Sequence, residues 1–175
     1  MLRFRHIPFV AFLLMIVSGA AFAGTADEMK QRFDWLSTNG NSTCSATFLQ
    51  LIPAMLPGAR LQGSCCGEMV FANYAQQTEG LKAYAAIPEI PVDPYDIDAR
   101  AASALLAANA EIILTADEQA VFDYALQHAD EGGPCCCRCW RWEVYSGLAK
   151  KLIHERGFTG DEMSQVWDLS SGCGS

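Results

Sequence analysis

Eight cysteines limit what this chain of 175 residues can become more than any other feature of it. They stand at Cys44, Cys65, Cys66, Cys135, Cys136, Cys137, Cys139 and Cys173, so half of them fall between positions 135 and 139. Adjacent cysteines rarely bridge one another, because a disulfide needs Cα atoms ~4.4–6.8 Å apart and a defined dihedral. A run of three therefore needs partners in three directions or serves a different chemistry. Cys44, Cys65, Cys66 and Cys173 supply four remote partners for the four clustered cysteines, so complete stapling is feasible. Eight cysteines allow about 105 complete pairings, and the sequence does not choose among them.

Which chemistry applies depends on the compartment. Residues 1–23 have the pattern of a signal peptide: Arg3 and Arg5 without an acid, an apolar run from Ile7 to Val17, and Ala21-Phe22-Ala23 as an A-x-A site. Cleavage is expected after Ala23. The apolar run is shorter than the ~20 residues that cross a bilayer, and no later segment is long enough to span. No cysteine stands at the cleavage point, which disfavours a lipid anchor. The expectation is a periplasmic or secreted protein whose eight cysteines reach an oxidising compartment, where disulfides are the default.

Twelve Lys and Arg against twenty Asp and Glu give a net charge of −8 and a pI near 4.7. That balance lacks the phosphate-neutralising charge on which nucleic-acid binding relies, so no nucleic-acid partner is expected. With 51% hydrophobic and 18% charged residues the chain can bury a sizeable core. Residues 24–175 are expected to form a single cysteine-rich helical domain.

Three segments begin with Thr followed three residues later by Glu, a capping-box spacing at a helix start: Thr25/Glu28, Thr115/Glu118 and Thr159/Glu162. After Thr25, the apolar Met29, Phe33 and Leu36 recur at helical spacing up to Asn39-Gly40, where a left-handed residue is expected. After Thr115 a similar stripe runs to Gly132-Gly133. From Cys139, the positions Trp140, Val144, Tyr145, Leu148, Leu152 and Ile153 mark one face of a long helix that Gly157 ends. Phe158 and the third box then predict a tight helix-turn-helix at the C-terminus. Further helices are expected over about 67–84 and 99–109, where breakers are rare. Strand-like alternation is hard to find. Pro88, Pro91 and Pro94 make residues 87–98 an extended strap between the N- and C-terminal helical parts. The predicted fold is thus all-α, a small helical bundle stapled or clustered by its cysteines.

The sharper chemical reading begins at Gly132-Gly133-Pro134-Cys135-Cys136-Cys137-Arg138-Cys139-Trp140. Two glycines and a proline turn the chain, and the cysteines arrive as a helix begins. A helix N-terminus favours negative charge, lowers a thiol pKa and supplies thiolates. Thiolates are soft donors suited to Cu(I) or Zn(II). Cys135, Cys136, Cys137 and Cys139 are the primary candidate ligands. Cys65, Cys66 and Met69 are additional ones, since Cys66 and Met69 share a face if a helix starts there, although a methionine at that spacing more commonly fills a core. A thioether suits copper better than zinc.

Other readings of these residues carry less. His128 and His154 lie away from every cysteine and fit surface or capping roles better than ligation. Cys139 is followed by Trp140, which removes the C-x-x-C-H haem attachment. Cys136 and Cys139 have the C-x-x-C spacing of a dithiol-disulfide oxidoreductase, but the βαβ setting of such enzymes is missing. Trp140, Trp142, Tyr145 and Trp167 could shield a metal site or surround a disulfide knot equally well. Asp93, Asp96 and Asp98 lack the glycine and terminal glutamate of a calcium loop, so solvated acids and an N-cap at Asp98 are expected. Asn41-Ser42-Thr43 is a glycosylation sequon that matters only in a eukaryotic secretory route. No complete catalytic signature of any class is present.

The piece from Pro134 to Cys139 resembles the P-C-Y-C-G-C signature of the exported bacterial PCYCGC-motif proteins. Pro134, Cys135, Cys137 and Cys139 match it, while Cys136 replaces the tyrosine and Arg138 the glycine. The helix, turn and amphipathic helix that follow are similar in outline, so the resemblance covers at most the last quarter of the chain, and the first 110 residues show none. Its implication is an exported, cysteine-centred, metal-binding protein, since the function of that family is itself unassigned. Three functions follow for test: a binder or handler of a soft metal ion through the CCCxC thiolates, a disulfide-stapled structural or interaction protein with an unknown protein partner, and a dithiol oxidoreductase.

Overall fold

The computed structural model describes residues 25–174, and the expected signal peptide lies outside them. Seven α-helices occur among the described residues: α1 (Ala26–Asn39), α2 (Ala46–Leu51), α3 (Phe71–Leu81), α4 (Ala99–Glu111), α5 (Ala116–His128), α6 (Trp140–Arg156) and α7 (Gly160–Ser170). The molecule is mostly helical, as its sequence predicts. None of these helices is long and apolar enough to cross a membrane.

All three capping boxes form. Thr25, Thr115 and Thr159 each accept from the amide three residues on, and the glutamate there accepts from the threonine amide. Asp98 caps α4 by accepting from the Arg100 and Ala101 amides at 3.0 Å. Gly157 ends α6 in the left-handed region at φ 67°, ψ 31°. The end of α1 differs from expectation, since Gly40 is extended. The glycine is needed there for space. A Cβ on it would stand 2.9 Å from the Cα of Gly63, itself at φ +75°, so two backbones touch at this point.

The chain also makes a small sheet that its sequence does not announce. Strands β1 (Arg60–Gln62) and β2 (Asp96–Asp98) pair antiparallel, with Leu61 opposite Ile97 and both buried. Three-residue strands are too short to show alternation. The strand β2 ends the proline-containing strap, and Ile90 and Tyr95 are buried with it, so this segment is packed rather than draped over the surface. The three strap carboxylates behave as structural groups. Asp96 pairs with Arg60 at 2.7 Å and with Arg32, while Asp93 accepts from the Tyr74 hydroxyl at 3.0 Å.

At the centre lies α6. All six residues of its expected apolar face are buried, but so are Arg141, Ser146, Gly147 and Ala149 on other sides. The alanine-rich α4 packs closest, because Gly147 has no side chain where the Leu105 carbonyl presses on α6. The last helix, α7, is joined to α6 by only three residues, yet it packs chiefly on α5 and α3. The expected helix pair is therefore not a unit apart, because the amphipathic face of α7 finds its partners elsewhere. A smaller apolar cluster of Leu36, Met69, Tyr74 and Tyr95 joins α1 to α3.

Candidate metal centre

Four loop segments bring the eight cysteines together at the N-terminus of α6. Cys44 comes from the α1–α2 connection, where the Asn41 side chain clamps β1: its amide donates to the Arg60 carbonyl and its oxygen accepts from the Gln62 amide, both at 2.9 Å. Ser45 then caps α2 by accepting from the Phe48 amide. Cys65 and Cys66 follow β1 after Gly63 and Ser64. Their loop is held against the segment after α7, since the Cys65 amide donates to the Gly172 carbonyl at 3.3 Å and the Gly67 amide to the Cys173 carbonyl at 2.7 Å. These ties keep the segment from Gly67 out of the helix expected over about 67–84, and α3 starts only at Phe71. They also bring in Cys173. The 135–139 run turns at Gly132 and Gly133, both at positive φ, and the Trp142 ring occupies the space where Gly133 lacks a side chain. Cys139 is the residue before the first turn of α6.

Sulfur-to-sulfur distances define one connected group. Cys139 Sγ lies 3.8 Å from both Cys65 and Cys135, and Cys66 lies 3.3 Å from Cys137 and 3.9 Å from Cys136. Cys44 is 2.8 Å from Cys66 and 3.4 Å from Cys137. Cys173 stands within 4.8 Å of Cys65 and Cys135, and likewise of Cys66 and Cys136. The disulfides of the stapling alternative do not form: all eight thiols are free, and Cys44 and Cys66 are outside the ~2.05 Å of a bond. The physical reason is convergence. The remote cysteines each meet several members of the clustered run or of one another instead of pairing off one to one. Such a cluster could hold a metal ion.

Of the candidate residues, Cys65, Cys66, Cys135, Cys136, Cys137 and Cys139 are all in this group. Met69 lies in the apolar packing with Leu36, Tyr74 and Tyr95, and borders a surface hollow beside Cys66. Cys44 and Cys173, expected only as bridging partners, join the cluster itself. His128 donates from Nδ1 to the Tyr124 carbonyl and His154 pairs with Glu118, so both serve the surface.

Burial grades the group. Cys135, Cys139 and Cys173 are buried, Cys65 and Cys137 half-buried, and Cys44, Cys66 and Cys136 exposed. Hydrogen bonds from Cys135 and Cys65 hold the Cys139 thiol far below the ordinary thiol range, and the Arg141 and Trp142 amides at the helix start act in the same direction. Cys173 is lowered to about 2 by donation from the same two thiols. Burial, then Cys66, pushes Cys44 up to about 11, and burial, then Cys173, pushes Cys136 up to about 12. Cys65 and Cys135, which donate the hydrogen bonds to Cys139 and Cys173, are raised in turn, so the floor pairs two thiolates with two protonated thiols.

One functional residue escapes the sequence reading. Arg141 is completely buried, stacks on Trp140 at 4.6 Å, and donates to the Pro94 carbonyl at 2.6 Å and the Gly63 carbonyl at 2.9 Å. Its Nε has no partner. Burial opposes its charge, but Tyr145, Cys65, Cys135 and Tyr95 outweigh that and tighten its hold on the proton. Gly172 lies flat against the guanidinium, where any side chain would overlap it. The signal in the sequence is an arginine between two tryptophans, two residues after Cys139.

The fold and the site define a helical protein organised around a thiol cluster. Comparison with family models, curated proteins and solved structures gives no match.

Proposed function

We propose that this is an exported protein that binds or handles a soft metal ion, Cu(I) or Zn(II), through its cysteine cluster. The observation that carries this reading is that eight sulfurs from four segments form one connected group of overlapping triads. An all-sulfur donor set selects soft ions over hard ones. The spacing also fits, because a tetrahedral site with Zn–S of about 2.3 Å has sulfurs about 3.8 Å apart, the separation of Cys139 from Cys65 and from Cys135. A metal-thiolate centre carries excess negative charge, and Arg141 supplies a buried positive charge beside it. Met69 serves by packing in this reading. The resemblance to PCYCGC-motif proteins, carried by Pro134, Cys135, Cys137 and Cys139, agrees with an exported, cysteine-centred role.

The oxidoreductase alternative needs exposure and a low pKa in one attacking thiol. Cys136 is exposed but pushed up, and Cys139 is held low but buried, so the two properties are separated.

The test is a free-thiol count with metal analysis on the same sample, using protein purified anaerobically from the exported fraction. The expected result is stoichiometric copper or zinc, at least four free thiols once it is removed, and a mature chain beginning at Gly24. No metal and no free thiol would establish the stapled scaffold instead.

A further inference from the structure

The cluster divides into two parts. Cys44, Cys66 and Cys137 form one triad with all sulfurs within 4.8 Å of one another, and Cys65, Cys135 and Cys173 form a second that shares no residue with the first. The two remaining cysteines lie between them. Cys139 makes a triad with Cys44 and Cys65 and another with Cys135 and Cys137, thereby touching two members of each. Cys136 meets Cys66 of the first and Cys173 of the second. From this geometry we infer that the centre holds two thiophilic ions, one per triad, with Cys139 and Cys136 completing or bridging their coordination. The inference rests on the metal-binding reading and adds its stoichiometry and the fate of each ion.

The two ions differ in access. The first triad is outer, since Cys44 and Cys66 are exposed and Cys137 is half-buried. The second is inner: Cys135 and Cys173 are buried, Cys65 is half-buried, and the buried Arg141 lies on this side, next to Cys65 and Cys135 in its charge interactions. A hollow of about 520 Å³, bordered by Phe33, Ser64, Cys66 and Glu68, opens at the outer triad. An acceptor thiol can enter there. Its sulfur binds the outer ion as Cys44 or Cys66 leaves, and its proton passes to the departing thiolate. The oxidation state of the ion does not change, so exchange needs no oxidant. The outer ion is accordingly the transferable one, taken by a small soluble thiol, and the inner ion is retained.

The experiment uses the reduced mature chain, loaded anaerobically with Zn(II) and followed by native mass spectrometry, with Cu(I) in a parallel titration. Two ions are expected per chain. Challenge with dimercaptosuccinate should remove them in two equal phases, the first at least about tenfold faster because the shell around a site controls access to it. The C44S/C66S double variant, checked for helix content, should keep one ion and lose the fast phase. Uptake of a single ion, uptake of more than two, or loss of both in one phase from the wild-type chain overturns the two-ion partition and leaves metal binding standing. Failure to take up either metal overturns the metal-binding reading itself.

Discussion

A buried arginine beside buried thiols is the most exacting residue of the molecule. Its two donated hydrogen bonds hold Gly63, ahead of Cys65, and Pro94, in the strap, so one side chain ties the loop that carries Cys65 to the strap and to α6. Arg141→Met keeps much of the volume but strands both carbonyls. We expect it to destabilise the metal-free protein by about 1–3 kcal/mol for each carbonyl left unsatisfied, as read by urea denaturation. Zinc affinity should fall as well, since the counter-charge is lost. A variant as stable as wild type would show that those carbonyls find water.

At the scale of elements, the close contact of α4 with α6 depends on one missing side chain. Gly147→Ala places a methyl against the Leu105 carbonyl, and overpacking of this kind typically costs about 1–3 kcal/mol. Thermal unfolding should register it as a lower midpoint with unchanged helix content. The elements also show what could be read from sequence. Thr25, Thr115 and Thr159 announce their helices because a capping box is satisfied within four residues. The α6 stripe is legible for the same local reason. The strands β1 and β2 are not, since each is three residues long and its partner lies far along the chain, Arg60 standing opposite Asp98. The six-residue α2 is likewise too short for its period to show. The segment from Gly67 reads as the start of a helix, but hydrogen bonds to Gly172 and Cys173 override that local preference. The cluster was half legible. Proximity in sequence exposed Cys135 to Cys139, whereas the arrival of Cys44 and Cys173 is set by tertiary contacts alone.

For the whole molecule, metal should change how stability depends on pH at the alkaline end. In the metal-free protein, Cys44 and Cys136 are raised from 9.0 to about 11 and about 12. A thiol raised on folding binds its proton more tightly in the native state. Its stabilising contribution is therefore complete below pH 9.0 and lost as pH rises through those higher values. Metal would hold these thiols as thiolates, so the loaded protein should keep its stability through that alkaline range. Both forms lose stability toward acid, the loaded one because protons compete with the ion for thiolates and the metal-free one because Cys139 and Cys173 are held low. Unfolding midpoints measured above pH 9.0 should fall without zinc and hold with it. Parallel pH curves would mean that the thiols do not ligate.

The hydrogen-bonded meeting of the 65–67 loop with Gly172 and Cys173 has a consequence for assembly. It closes a loop of more than a hundred residues, Cys65 and Gly172 being 107 positions apart, and the entropy of such closure must be met before any contact rewards it. The thiol centre is thus among the last parts of the molecule to exist during folding. An ion binding there acts as a clasp, fastening a chain whose distant segments have already found each other. Loading with metal then reports that folding is finished, and a chain cut anywhere between Cys44 and Cys173 would have its clasp in separate pieces.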